Sequence, residues 1–349
     1  MKKSKIILAC LVIIIFVIDV VLYKGVDNTS ISDNTQVIDM IDEGNLNLKQ
    51  GEDTKLSITF SDQINLEVNN FYKWSSSDSS VCTVDDNGIV HAKKAGEAYI
   101  KAKWQGKTIK TKVTVYDIKS ILIVVGDSRM DNFKDDNNFM DTSKYEVKYI
   151  EKTSLISNFE KMFVVSLSGM RYNWLAGEND YKDDNATKYV EEIIKEYEEK
   201  TNNIHKYDIK ILFNLGVNDL EHKYLKDDSP AYIASKYLHK LDNIMNNEWK
   251  SDIINNIDLN MITLFPVNDE QVECYFPGRY DKDIVEFNNY IKSEYKGSVC
   301  DAYNDLDFNA NVFRPRSDKT CASRDGLHFS KEFNQEKLYP YLVNDCAKK

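Results

Sequence analysis

From about residue 118 the apolar residues of this chain stop alternating and begin to cluster. That change limits the possible folds more than any other feature. "SILIVV" (120–125), "MFVVSLS" (162–168), "IKILFNLG" (209–216) and "LNMITLF" (259–265) are short, nearly continuous apolar runs. Such runs suit parallel strands covered on both faces, whereas half-exposed strands alternate. Between and after them, apolar residues recur at helical spacing. One set is Tyr189, Val190, Ile193, Ile194 and Tyr197; a second is Ile233, Tyr237, Leu238, Leu241, Ile244 and Met245; a third is Ile284, Phe287, Ile291 and Tyr295. Strand–helix alternation of this kind predicts an α/β sandwich built on a parallel sheet over 118–349.

Upstream, over 45–117, the pattern is that of half-buried strands. "KLSITF", "AYIKAKW" and "KTKVTVY" alternate, and Asp86-Asn87-Gly88 and Ala95-Gly96 mark turns. Short strands with turns about every ten residues predict a small β-sandwich. Trp74-Ser75-Ser76-Ser77-Asp78, Val81, Val84-Asp85, Gly88, Val90, Ala92, Gly96 and Ala98 resemble the bacterial immunoglobulin-like group 2 (BIG2) family over nearly this whole segment. The resemblance implies an extracellular spacer or adhesive module. Trp74 is expected in its core, with sugar stacking as the other role open to it.

Lys2, Lys3 and Lys5 precede an apolar run from Ile6 to Tyr23 that only Asp19 interrupts. Its length approaches the roughly 20 residues needed to span a bilayer, and the lysines orient it with the remainder outside. Residues 1–23 are therefore expected to be an uncleaved signal anchor in the cytoplasmic membrane, followed by a polar linker over 24–44. "ILAC" (7–10) offers an alternative, a lipoprotein anchored at Cys10. Beyond Cys10 five cysteines remain, and Cys274, Cys300, Cys321 and Cys346 are candidates for disulfides whose pairing the sequence leaves open. The formal net charge of −11 argues against nucleic acid as the main partner, because phosphate binding needs a basic surface. The cysteines lack zinc-ligand spacing and the acidic stretches lack calcium-loop spacing, so neither metal nor organic cofactor is expected.

In open parallel sheets, ligands sit beyond the carboxyl ends of the strands. Gly126-Asp127-Ser128 follows the first apolar run, Ser168-Gly169-Met170-Arg171 the second, and Gly216-Val217-Asn218-Asp219 the third. "RDGLHFS", with Asp325 and His328, stands before the last helical stretch. These residues supply the parts of acyl transfer. A serine hydroxyl needs a base to take its proton, an imidazole can take and return it near neutral pH, and a carboxylate holds the imidazole in the right tautomer.

The four blocks, in this order, resemble the SGNH or GDSL-type hydrolase family over about 118–349. The resemblance implies a flavodoxin-like three-layer α/β/α sandwich, with Ser128 as nucleophile, His328 as base and Asp325 as its partner. It implies an oxyanion hole from the N–H groups of Ser128 and Gly169 and the side chain of Asn218. Gly126, Asp127, Gly216 and Asp219 complete the motifs; Asp219 is also a candidate cap for the helix or loop after it. Arg129 departs from the usual leucine and is expected either to pair with Asp127 or to meet an anionic substrate. Arg171 and Trp174 are further candidates to line the pocket. The combined expectation is an extracytoplasmic, membrane-anchored serine esterase acting on O-acetyl or other small acyl groups of a cell-surface or extracellular glycan, such as a cell-wall polysaccharide. The alternatives are an O-acyltransferase with the same triad, or a surface-binding protein with an inactive hydrolase-like domain.

Overall fold

The structure is a computed structural model. It describes residues 36–39, 44–58, 72–104, 106–131, 147–151, 158–166, 168–182, 184–317 and 321–348. The expected anchor (1–23), Cys10 and most of the expected linker lie outside the described residues. Among the described residues no helix is long and apolar enough to cross a membrane. The chain divides between Val115 and Tyr116 into two compact units.

The first unit is all β. Strands β1 (Gln36–Asp39), β3 (Asp53–Ser57), β6 (Ile89–Ala92) and β5 (Cys82–Val84) form one sheet in that order. The second sheet contains β2 (Gly44–Lys49), β4 (Lys73–Ser76), β7 (Gly96–Trp104) and the first half of β8 (Lys107–Gly126). Leu46, Leu48, Leu56, Val90, Ile100, Val113 and Val115 pack between them, with Trp74 against this core. The Asp86-Asn87-Gly88 turn is shaped by Asp85, whose carboxylate accepts the N–H groups of Asn87 and Ile89 at 2.9 and 2.7 Å. One expectation needs correcting. Gln36–Asp39 falls within the expected linker, yet it runs parallel to β3 in register Gln36↔Thr54 to Asp39↔Ser57. Its Val37-Ile38 pair is β-branched, and two such residues in a polar stretch are enough for an edge strand.

The second unit is a parallel-rich α/β sheet. It continues with β9 (Val147–Glu151), β10 (Lys161–Ser166), β11 (His205–Asn214), β12 (Asn256–Ile262) and β13 (Val299–Cys300). The order is β13-β12-β11-β8-β10-β9. All neighbours are parallel except β9, which pairs antiparallel with β10 at the edge. The continuous apolar runs follow from burial on two faces. Ile121, Ile123 and Val125 of β8 join one core with α3 (Ala186–Lys200), α5 (Pro230–Asn243) and α7 (Asp281–Glu294). Leu122 and Val124 join the other, with Phe329, Leu338, Leu342 and Cys346.

Two disulfides staple this unit. Cys274–Cys321 and Cys300–Cys346 have Cα separations of 5.7 and 5.4 Å, ordinary for the bond. Cys82 is free and buried in the first unit. With Cys300 and Cys346 separated by 46 residues, closing the loop is worth about 2–4 kcal/mol. The double variant Cys300→Ser/Cys346→Ser is expected to lose that much unfolding free energy in urea titrations of the second unit's transition. An unchanged midpoint would show that the bond contributes nothing.

Candidate active site

The sheet register gathers the polar residues first. Gly126 at the end of β8 is flanked by Ser166 of β10 and Asn214 of β11. Strand order reverses here, since β10 and β11, which follow β8 in the chain, lie on opposite sides of it. A crevice at such a point is where doubly wound sheets hold their ligands. Gly126 has no room for a side chain, because a Cβ would stand 2.4 Å from Met130 Cγ and 2.8 Å from the Asn214 carbonyl oxygen. The chain then turns into α1 (Ser128–Asp131), placing partly exposed Ser128 at its first position.

Ser128 Oγ lies 3.0 Å from His328 Nε2. His328 Nδ1 lies 3.1 Å from Asp325 Oδ2. The three side chains thus form one hydrogen-bonded line. Asp325 is fully buried, and its other oxygen accepts the N–H groups of Leu327 and His328 at 3.0 and 2.8 Å. Burial alone would raise its pKa. The hydrogen bonds and charge of His328, with the backbone donors, outweigh burial and hold the carboxyl below its ordinary value. Asp325 and His328 sit on β15 (Arg324–Phe329), which pairs antiparallel with β14 (Phe313–Pro315). Gly326 between them has φ of 70°, and a Cβ there would meet Val272 N at 2.4 Å. Only glycine lets this ribbon lie against α6 (Asp269–Tyr275), whose preceding Asn268 donates its N–H to the Gly326 carbonyl at 2.9 Å.

The expected oxyanion donors lie at the ends of neighbouring strands. Asn218 Nδ2 donates to the Met170 carbonyl at 3.0 Å, tying its loop to the one that carries Gly169. That bond uses one of its two amide hydrogens. The Asn218 carbonyl oxygen accepts from Arg279 Nη2 at 3.3 Å, which fixes the amide so that nitrogen, not oxygen, is turned toward that loop. Arg279 is buried and pairs with Glu221 at 2.5 Å. Gly169 lies in an exposed turn with φ of 76°.

Asp219 does not cap the segment after it. Its buried carboxylate accepts the Tyr172 N–H at 3.1 and 3.2 Å and the Tyr237 hydroxyl at 2.7 Å. It therefore satisfies the start of α2 (Tyr172–Ala176), an element from another strand end. Burial pushes its pKa up to about 6, against the lowering effect of the Tyr237 and Tyr172 hydrogen bonds.

Two expected pocket residues are corrected. Arg129 is fully buried and pairs with Asp127 at 3.3 Å, also fully buried. Its Nη1 donates to the Phe265 carbonyl at 3.0 Å, and its guanidinium lies over the Phe265 ring. The pairing alternative holds, and no face remains for a substrate. Trp174 is 1% exposed and belongs to the core, because α2 turns Trp174 and Leu175 inward. Arg171 is partly exposed, and its guanidinium stacks 3.8 Å over Tyr224 of α4 (His222–Leu225), which is itself exposed.

Three residues near the triad carry no signal in the sequence: Arg279, Phe276, whose edge meets the His328 ring at 5.2 Å, and Arg314. Arg314 Nε donates to Asp325 Oδ2 at 2.9 Å, and its Nη2 forms an ion pair with the same oxygen at 2.8 Å. "PGRY" and "FRPR" hold no motif, so only the tertiary pairing reveals the two arginines. The other four histidines lie elsewhere: His91 pairs with Asp53, His205 with Asp117 and His222 with Asp283, and His239 stands on α5. Among the described residues no group of three His, Cys, Asp or Glu is placed to hold a metal ion.

The bacterial Ig-like domain (group 2) family matches residues 40–115. No curated protein matches the chain. Among solved structures, the chain is similar to the carbohydrate acetylesterase Est24 from Sinorhizobium meliloti at 16% identity, with a TM-score of 0.40 and coverage of 66% of this chain and 99% of that one. A lipase/acylhydrolase from Enterococcus faecalis shows 14% identity, a TM-score of 0.37 and coverage of 66% and 96%. The aryl esterase of M. smegmatis shows 17% identity, a TM-score of 0.38 and coverage of 65% and 99%.

Proposed function

We propose that this chain is a membrane-anchored extracytoplasmic serine esterase that removes O-acetyl or other small acyl groups from a cell-surface or extracellular glycan. The observation that carries the reading is the unbroken line from Ser128 Oγ through His328 to buried Asp325, with steps of 3.0 and 3.1 Å. In this mechanism Ser128 Oγ attacks the ester carbonyl carbon while His328 Nε2 takes its proton. Asp325 stabilises the imidazolium at Nδ1. The negative oxygen of the tetrahedral intermediate is met by the N–H groups of Ser128 and Gly169 and by the second amide hydrogen of Asn218. The alcohol leaves with the proton held by His328, and water then releases the acyl group by the same steps in reverse.

The location outside the cytoplasm is supported by the basic residues ahead of the Ile6–Tyr23 apolar run and by two disulfides, which persist in oxidising compartments. A glycan is supported by the BIG2 match and by the exposed rings of Tyr224 and Tyr232, since flat rings with polar edges suit amphipathic sugars. A fluorophosphonate probe is expected to label the full-length protein at Ser128 and nowhere in Ser128→Ala, as read by peptide mass spectrometry. Folded wild-type protein that stays unlabelled would sink the enzyme reading and leave a surface-binding protein. Acyl release to water rather than to an added sugar acceptor separates esterase from acyltransferase.

A further inference from the structure

The triad carboxylate has a second claimant. Arg314 stands on β14, opposite the strand that carries Asp325 and His328. Its neighbour Phe313 is buried in the core, and strand alternation sends Arg314 the other way. Its guanidinium places Nε and Nη2 2.9 and 2.8 Å from Asp325 Oδ2, the same oxygen that faces His328 Nδ1. Arg314 Nη2 also lies only 3.2 Å from His328 Nδ1. A guanidinium can only donate, and Nδ1 must carry its proton toward Asp325 if Nε2 is to act as a base. The arginine and the imidazole therefore share one anionic oxygen at close range.

We infer that Arg314 is a positioning residue that divides the charge of Asp325 between itself and His328. The inference rests on reading Ser128, His328 and Asp325 as the triad. Two effects act in the same direction. A cation beside the imidazole disfavours its protonated form. The shared carboxylate also has less charge left with which to stabilise that form. The other side chains in contact with His328 are the Ser128 hydroxyl at Nε2 and the Phe276 ring, and Arg279, which lies 5.9 Å over that ring, is committed to Glu221. Among the described residues Arg314 is thus the cation in direct contact with the Asp325–His328 pair. Its side chain is 44% exposed while Asp325 is wholly buried, so the contact joins a hidden acid to a solvent-accessible cation.

The test is a histidine titration by NMR on full-length protein labelled at histidine, in which the His328 signal is identified by its loss in His328→Gln. The His328 midpoint is expected to rise by about 0.5–1 pH unit in Arg314→Gln and to stay near wild type in Arg314→Lys, which keeps the charge. Arg314→Met repeats the measurement with the aliphatic stem preserved, should glutamine fail to fold. A wild-type midpoint in the charge-removing variant, with only the melting temperature lowered, overturns the inference and leaves Arg314 as a clasp between strands. Because this readout needs no turnover, it is separable from the function. The acid limb of kcat/KM on p-nitrophenyl acetate is expected to move with the midpoint. Absence of any wild-type hydrolysis would count against the esterase alone, and the midpoints would still decide the role of Arg314.

Discussion

Replacing Ser128 with alanine is expected to lower kcat for p-nitrophenyl acetate by about 10⁴–10⁶-fold, the usual loss when the nucleophile of such a unit is removed. The fold should survive it. Ser128 is partly exposed, and among the described residues its hydroxyl bonds only to His328 Nε2. The neighbours that hold the turn, Gly126, Asp127, Arg129 and Met130, pack without that oxygen. The melting temperature should therefore stay within a degree or two while turnover collapses. What remains would come from binding and the oxyanion donors, which act without the nucleophile. If Ser128→Ala retains a tenth or more of wild-type kcat, hydrolysis proceeds at another site and the triad assignment fails. A loss of activity with an equal loss of folded protein would be uninformative, so circular dichroism and kinetics belong on the same samples.

How far the sequence reaches depends on whether a residue's partners are set by local pattern or by distant strands. The parallel strands are legible because burial on both faces forces continuous apolar runs; Ile121 and Leu122 face different cores yet must both be apolar. The helices are legible from spacing, and α3, α5 and α7 fall where Val190, Tyr237 and Phe287 predict. Ser128 and Asn218 can be nominated because each follows such a strand, and Asp325 because it stands with His328 just before the last helical stretch. Strand β9 is not legible. It is a short edge element whose sequence, "VKYIE", has no continuous apolar run to betray it. Trp174 is misplaced by the sequence reading because a five-residue helix is too short to show a period. Asp219, Arg279 and Arg314 are out of reach for a different reason. Each acts on a residue from another part of the chain: Tyr172 is 47 positions from Asp219, and Asn218 is 61 from Arg279. Asp325 is 11 from Arg314, across a ribbon with a register shift. Nothing in composition or spacing announces such pairings.

Arg129 is the sharpest case, and its removal is expected to be the most destabilising single change near the site. The side chain is fully buried, as is its partner Asp127. Burial lowers the pKa of the guanidinium, and the charge and hydrogen bond of Asp127 pull it back up. In Arg129→Met the carboxylate of Asp127 would keep the backbone N–H of residue 129, at 3.0 Å in the native chain, but lose its counter-charge. Stranding a buried charge in this way costs about 3–5 kcal/mol. That is a large share of the roughly 5–15 kcal/mol that holds a typical domain together. The pair itself is a different matter. Asp127 Oδ2 and Arg129 Nη2 find no hydrogen-bond partner among the described residues, so neither ion is fully compensated. Removing both charges, as Asp127→Asn/Arg129→Met, should therefore recover most of the loss, to within about 1 kcal/mol of wild type. Urea unfolding of the single and double variants measures the difference. Recovered stability together with recovered esterase activity would establish that the arginine after the serine shapes the turn that presents Ser128. Recovered stability with activity still lost would instead mean that its charge acts on the reaction from behind the nucleophile.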